Sequence, residues 1–238
     1  MPAPQNALIA LLPATERKRL TAGCEPVMLE LNDVICEPGD TLQFVHFPVD
    51  AFISLLGVQG DHTLLEVGMI GREGMLGVHR VLGVAQAPLR ALVQGAGLSL
   101  RIASAALQAE IERSATLQAV LLRYTHVCMQ QLTSSALCMR FHQVQPRLAR
   151  WLLMTQDRAH SDRFQVTQEF LSSMLGVRRV GVTAAALALQ RQGLIAYQRG
   201  DMQVLDRAGL ETAACSCYAN DMRAYRAQFA PDGRKPSC

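Results

Sequence analysis

Residues 166–200, VTQEFLSSMLGVRRVGVTAAALALQRQGLIAYQRG, hold two short amphipathic stretches separated by one glycine, and this arrangement leaves the segment few ways to fold. Thr167 suits a helix N-cap, because its hydroxyl can accept from free amides of the first turn. Phe170, Leu171, Met174 and Leu175 then recur on one face of a short helix. Gly176 stands where a helix ends in a left-handed residue, and Val177 is the small apolar residue of the turn. A second helix follows over 178–190, with Val182, Ala185, Ala186 and Leu189 as its packing face. Gly193 closes it, and two strands about the turn Gln198-Arg199-Gly200-Asp201 complete a helix, turn, helix and hairpin.

This pattern is a winged helix-turn-helix, whose second helix enters the major groove of DNA in proteins that read sequence. Its first residues here are Arg178 and Arg179. Arginine can donate two parallel hydrogen bonds to guanine O6 and N7, worth about 1–3 kcal/mol of base discrimination. Thr167, Gln168 and Thr183 are placed to touch phosphates, and Arg199 at the hairpin tip can reach another. The alternative is a winged helix used for protein contacts, with both arginines solvated.

Charge supports the first reading. The whole chain carries 23 basic and 20 acidic side chains, net +3, which argues for no partner in particular. Residues 1–146 hold 10 basic and 12 acidic groups, whereas 147–238 hold 13 and 8, almost all the basic ones being arginine. High apolar content and low net charge exclude a disordered chain. Apolar runs such as 7–13 fall far short of the roughly 18 residues of a membrane span. With no secretory pattern at the N-terminus, a cytoplasmic protein is expected.

Upstream, apolar segments at 27–31, 34–35, 42–47, 52–56, 64–67, 89–93 and 98–102 alternate with glycine-rich turns, including Gln59-Gly60-Asp61. The spacing predicts an antiparallel roll or barrel. Between Ser104 and Gly176 there is no glycine, and a long helix is predicted over 116–139. Leu117, Leu121, Tyr124, Cys128, Gln131, Ser135 and Cys138 follow 4-3 spacing, one stripe of a heptad. Periodicity alone leaves open whether that stripe packs on its own domain or on a second copy. Pro146 is expected to break the register, followed by an amphipathic helix over 147–155 that buries Leu148, Trp151 and Leu152 and leaves Arg147 and Arg150 elsewhere.

The seven cysteines are scattered, and Cys215-Ser216-Cys217 lacks the usual two-residue gap of a zinc knuckle. No second close pair is visible, so the cysteines read as small buried residues and no metal is expected. No nucleophile triad, carboxylate pair or phosphate loop appears at a recognisable spacing, so no enzyme is expected either.

Residues 166–200 resemble the DNA-binding domain of the Crp/Fnr regulators, and Arg147-Leu148-Ala149-Arg150-Trp151-Leu152-Leu153 resembles the helix preceding it in that family. The resemblance covers about residues 5–225. It implies an α+β chain: a cyclic-nucleotide-binding-type β-roll over 1–115, a dimerisation helix over 116–145, a winged helix-turn-helix over 146–225 and a flexible tail over 226–238. It further implies a cytoplasmic homodimeric transcription regulator on a palindromic operator, contacting RNA polymerase if it activates. The heptad stripe from Leu117 to Ser135 would then be the dimer seam.

Two departures matter. Val180 replaces the acidic residue that follows the guanine-reading arginine in the family, so the operator should differ. In the roll, Arg72 or Met75 stands at the ribose-binding glutamate position and Ala87-Pro88 replaces the phosphate-binding Arg-Ser pair. The usual cyclic AMP site is therefore not expected, nor a four-cysteine iron–sulfur motif. A different small-molecule or nucleotide effector, held by Arg72, Gly74 and Arg90, is the remaining expectation.

Overall fold

The computed structural model describes residues 5–60 and 63–229. Asp61 and the segment 230–238 expected as part of a tail lie outside the described residues.

All seven apolar segments upstream of the long helix become strands. β1 (Glu25–Leu29), β3 (Phe44–Pro48) and β7 (Gly97–Ala103) form one antiparallel sheet in the order β1-β7-β3. β2 (Val34–Cys36), β4 (Phe52–Gln59), β5 (Thr63–Ile70) and β6 (Arg90–Gly95) form a second, ordered β2-β6-β4-β5. Val45, Phe47, Ile53, Ala91 and Val93 belong to one buried core, as expected of a sandwich in which each strand turns alternate side chains inward. Two N-terminal helices, α1 (Ala7–Ala10) and α2 (Ala14–Ala22), insert Leu8, Ile9 and Leu20 into the same core. Buried Asn6 holds them there: its carbonyl caps α1, and its amide donates to the backbone oxygens of Pro48 (2.9 Å) and Gly74 (2.8 Å).

After β7, α3 (Ser104–Arg113) leads into the long α4 (Ala115–Phe141). Ser114 separates them and caps α4 through its hydroxyl oxygen, which accepts from the Leu117 amide at 2.9 Å. Leu117, Leu121 and Tyr124 pack in the roll core with Cys128 against it, and Ser135 donates to the Val67 carbonyl at 3.0 Å. The stripe expected as the seam between copies thus faces the chain's own roll, whose apolar surface covers it. Gln131 is half-buried on the same side. A neighbouring stripe, Leu122, Thr125, Met129, Leu132, Ala136 and Met139, has the same heptad spacing. Of these, Leu122, Met129, Leu132, Ala136 and Met139 are exposed, Met129 by 61%.

Pro146 does not break the chain where expected. α5 (Val144–Ala159) begins two residues earlier and takes Pro146 into its first turn, where a missing amide costs no helical bond. Arg147 is buried and the Arg150 side chain nearly so, at 11% exposed, because each finds a partner inside. Arg147 donates to the Leu175 carbonyl, and Arg150 pairs with Asp221 at 2.8 Å.

The C-terminal unit builds on α5. β8 (Arg163–Gln165), α6 (Gln168–Leu175), α7 (Arg179–Arg191), β9 (Ile195–Gln198) and β10 (Asp201–Val204) follow, with the strands ordered β8-β10-β9. α8 (Arg207–Ala213) and α9 (Ser216–Phe229) complete the described chain. α9 runs back along α4: Cys217 lies against the Ser134 carbonyl, and Arg123 meets the Gln228 carbonyl and the Phe229 ring. Residues 226–229, expected in a tail, are therefore the packed last turn of α9. Leu56 and Met69 of the roll join the core of the C-terminal unit, and Arg158 pairs with Glu73 at 2.6 Å.

No single helix among the described residues is long and apolar enough to cross a membrane.

Candidate nucleic-acid interface

The local chemistry of 166–193 produces the predicted motif. The Thr167 hydroxyl oxygen accepts from the Phe170 amide at 3.1 Å. Gly176 takes φ 60°, ψ 40°, and its own amide and that of Val177 bond back to Ser173 and Ser172, which ends α6 in a Schellman turn. α7 leaves at 105° to α6, inside the range of DNA-reading helix pairs. Leu171, Met174, Val182, Ala185, Ala186 and Leu189 hold this angle by packing with Leu148 and Leu152 of α5. Trp151 is clasped edge-on by Phe164 and Phe170.

The opposite face of α7 is open. Arg178 is the N-cap residue, Arg179 begins the helix, and both are exposed along with Val180, Ala184, Leu187 and Arg191. Arg178, Arg179, Arg191 and Arg199 make no ion pair among the described residues. No acidic residue occupies the first turn of α7, whereas α6 has Glu169 there. A helix N-terminus already carries partial positive charge, so two cations there are mutually unfavourable by about 0.3–1 kcal/mol each unless an anion approaches. That local cost favours a negatively charged partner.

Arg199 sits at the hairpin tip in the left-handed region (φ 51°), followed by Gly200 at φ 91°, which is the tight turn a two-residue hairpin needs. Thr183 is placed differently from expectation. Its hydroxyl lies 2.9 Å from Gln168 Oε1 and 3.1 Å from the Arg179 carbonyl, so its one proton is committed to an acceptor within the chain rather than to phosphate. The Gln168 amide nitrogen and the Thr167 hydroxyl proton remain available as donors. The sequence already sets Val180 beside the reading arginine; what it missed is Leu187, which extends an exposed apolar row through Ala184 and looks like core by composition alone.

The effector residues do not converge. Arg90 is turned onto Glu37 at 2.8 Å. Gly74 is closed off by Tyr124, whose hydroxyl lies 2.0 Å from where a side-chain carbon would sit. Arg72 lines a cleft with Asp157, Arg158 and Tyr225, not the cavity beside Pro88 and Leu89. That second cavity, about 110 Å³, is walled by Leu55, Met69, Met75, Val78, Leu89 and Leu132. His79 is its titratable imidazole, and burial and Arg80 hold it below the usual histidine range, hence uncharged at neutral pH. Cys24 and Cys36 bond to separate carbonyls, and burial pushes Cys24 up to about 11, as expected of inert structural thiols.

The helix pair, its cap and its wing have a counterpart among known proteins. Residues 146–213 match the Crp-like helix-turn-helix domain. The fold over some four-fifths of the chain is that of Crp/Fnr-type regulators. FixK2 from Bradyrhizobium japonicum superposes with a TM-score of 0.69 at 13% identity, covering 81% of this chain and 98% of its own. A putative Crp/Fnr-family transcriptional regulator from Eubacterium rectale gives 0.67 at 14% identity, covering 85% and 94%. The c-di-GMP-responsive global regulator CLP of Xanthomonas campestris gives 0.66 at 16% identity, covering 81% and 99%. No curated protein sequence matches the chain.

Proposed function

We propose that the protein is a homodimeric, sequence-specific DNA-binding transcription regulator that places α7 in the major groove. The observation that carries this reading is the uncompensated pair Arg178 and Arg179, exposed at the N-terminus of a helix whose other face is buried. Arg178 and Arg179 read guanine edges, and Val180, Ala184 and Leu187 contact thymine methyl groups. The Thr167 hydroxyl, the Gln168 amide and Arg199 on the wing bind phosphates and fix register. Because Val180 accepts no hydrogen bond, cytosine is not read at its position.

Two copies associate through the exposed heptad row from Leu122 to Met139 on α4, parallel and side by side. An apolar row of that length left in water is costly, and a second copy supplies its complement. The roll is a sensor without a cyclic-nucleotide phosphate site: its cavity offers methyl groups and a neutral imidazole, which suit a small apolar effector better than an anion.

Selection of bound DNA from a random pool tests the reading. A palindrome with half-sites about one helical turn apart, bound with an affinity that falls steeply with salt, is the expected result. Salt-insensitive or sequence-indifferent binding would leave the winged helix as a protein-contact module.

A further inference from the structure

Three cysteines that are scattered in sequence meet in space. Cys138, near the end of α4, lies 3.5 Å from Cys215, and Cys217 lies 3.7 Å from His142 Nδ1. The four donor atoms of Cys138, His142, Cys215 and Cys217 all fall within 4.8 Å of one another. Cys138, Cys215 and Cys217 are buried and form a cluster separate from the two main cores, so apolar packing with those cores does not explain them. We infer that these four residues form a tetrahedral Cys3His site for a single thiophilic divalent cation of the zinc class.

The dimensions select that chemistry. With zinc–sulfur bonds of about 2.3 Å and zinc–nitrogen bonds of about 2.0 Å, a tetrahedron has sulfur–sulfur edges of about 3.8 Å and sulfur–nitrogen edges of about 3.5 Å. The sulfur–sulfur separation of 3.5 Å and the sulfur–nitrogen separation of 3.7 Å each lie within about 0.3 Å of those edges. An iron–sulfur cluster must fit several metal ions and sulfides between its ligands and needs a wider cage. A Cys138–Cys215 disulfide would close one contact to about 2.05 Å and leave Cys217 against His142 unexplained.

A cation stands beside the cluster. Arg150, nearly buried there, gives one nitrogen to Asp221, while its Nε has no partner among the described residues. Binding replaces the three S–H bonds by metal–sulfur bonds and releases the three protons to water. The site ties the end of α4 and the α4–α5 junction at His142 to the start of α9. It would thus fix the helix-turn-helix unit relative to the long helix. This assignment does not depend on DNA binding.

The test is metal analysis of the full-length wild-type chain, kept reduced and free of chelator, by native mass spectrometry and by titration with cobalt(II). One ion per chain is expected, with the intense thiolate-to-cobalt charge-transfer band and the d–d bands of tetrahedral coordination. Cys217→Ser and His142→Ala should each weaken binding by more than the roughly 10–100-fold that losing an outer-shell partner costs, while Cys24→Ser leaves it unchanged. If the ligand variants do not fold, the wild-type titration decides alone. Absence of stoichiometric binding by the reduced wild type, octahedral cobalt spectra, or full retention of the ion by Cys217→Ser would each overturn the assignment.

Discussion

The roll and the winged unit both present arginines near glycines; the roll pairs Arg90 and leaves Arg72 exposed without an ion pair among the described residues, whereas the winged unit leaves Arg178, Arg179 and Arg199 so together. In the roll, Arg90 is matched to Glu37 and Arg101 to Glu25, while Arg158 crosses from the winged unit to Glu73. On the winged unit, Arg178, Arg179 and Arg199 are left exposed and unmatched by any acid among the described residues. A cation already paired inside the chain contributes to holding the fold and has little left for a ligand. An unmatched cation at a helix N-terminus raises the energy of the free protein, and an anionic partner recovers that energy on binding. The distinction separates binding surface from scaffold more sharply than counting arginines does.

The largest expected effect comes from removing an unmatched charge. Arg179→Ala should lose about 1–3 kcal/mol per half-site, or about 2–6 kcal/mol for a dimer on a palindrome, and abolish discrimination in footprinting while leaving the unfolding midpoint unchanged. Sequence discrimination that survives in this variant would break the contrast drawn above.

Next, Met129→Glu places a carboxylate in the exposed row of α4. It should cost the dimer at least about 2 kcal/mol, read by sedimentation as a shift toward monomer, without destabilising the monomer fold. Cys128→Ala, on the covered side of the same helix, should leave the dimer intact.

A smaller effect concerns the junction between the two units. Glu66 accepts from Ser54 at 2.6 Å, and burial pushes its carboxyl from 4.5 up to about 7, with Ser54, Arg158 and Arg150 pulling the other way. The folded chain holds this proton more tightly than the unfolded chain does. Its contribution to stability is therefore complete below about pH 4.5 and is lost as pH rises through about 7, amounting to about 1–3 kcal/mol. Glu66→Gln should flatten that slope in denaturation measured across the same window; an unchanged slope would assign it to another group.

Smallest of all, Arg90→Ala removes a partly exposed ion pair and should change stability by no more than about 1 kcal/mol. It should also leave any response to cyclic nucleotides unchanged in calorimetry.

Much of this architecture was legible in the sequence, because the signals are local. Strand segments bounded by glycine, the Thr167 cap, the Gly176 turn and the 178–190 helix depend on neighbouring residues alone. What escaped was set by partners distant in sequence. Two heptad rows run along α4 one residue apart, starting at Leu121 and Leu122, and periodicity does not say which of them the roll covers. Arg147 and Arg150 look like solvated residues until Leu175 and Asp221 are brought beneath them. Cys138 and Cys215 are 77 residues apart, and the spacing rule that argued against a metal site looked only for close pairs. The second pair is Cys138 with His142, four positions along the end of α4.

The return of α9 along α4 has a consequence for how the molecule is made. The roll and α4 are synthesised first, before the C-terminal residues against which Leu56 and Met69 pack. The residues that tie the two units together come last: Asp221 for Arg150, Tyr225 for the Glu73 carbonyl, Phe229 for Arg123. A nascent chain could therefore meet its twin through α4 while its winged unit still swings freely. Only when translation has run to the end of α9 is α7 held at a fixed distance from α4.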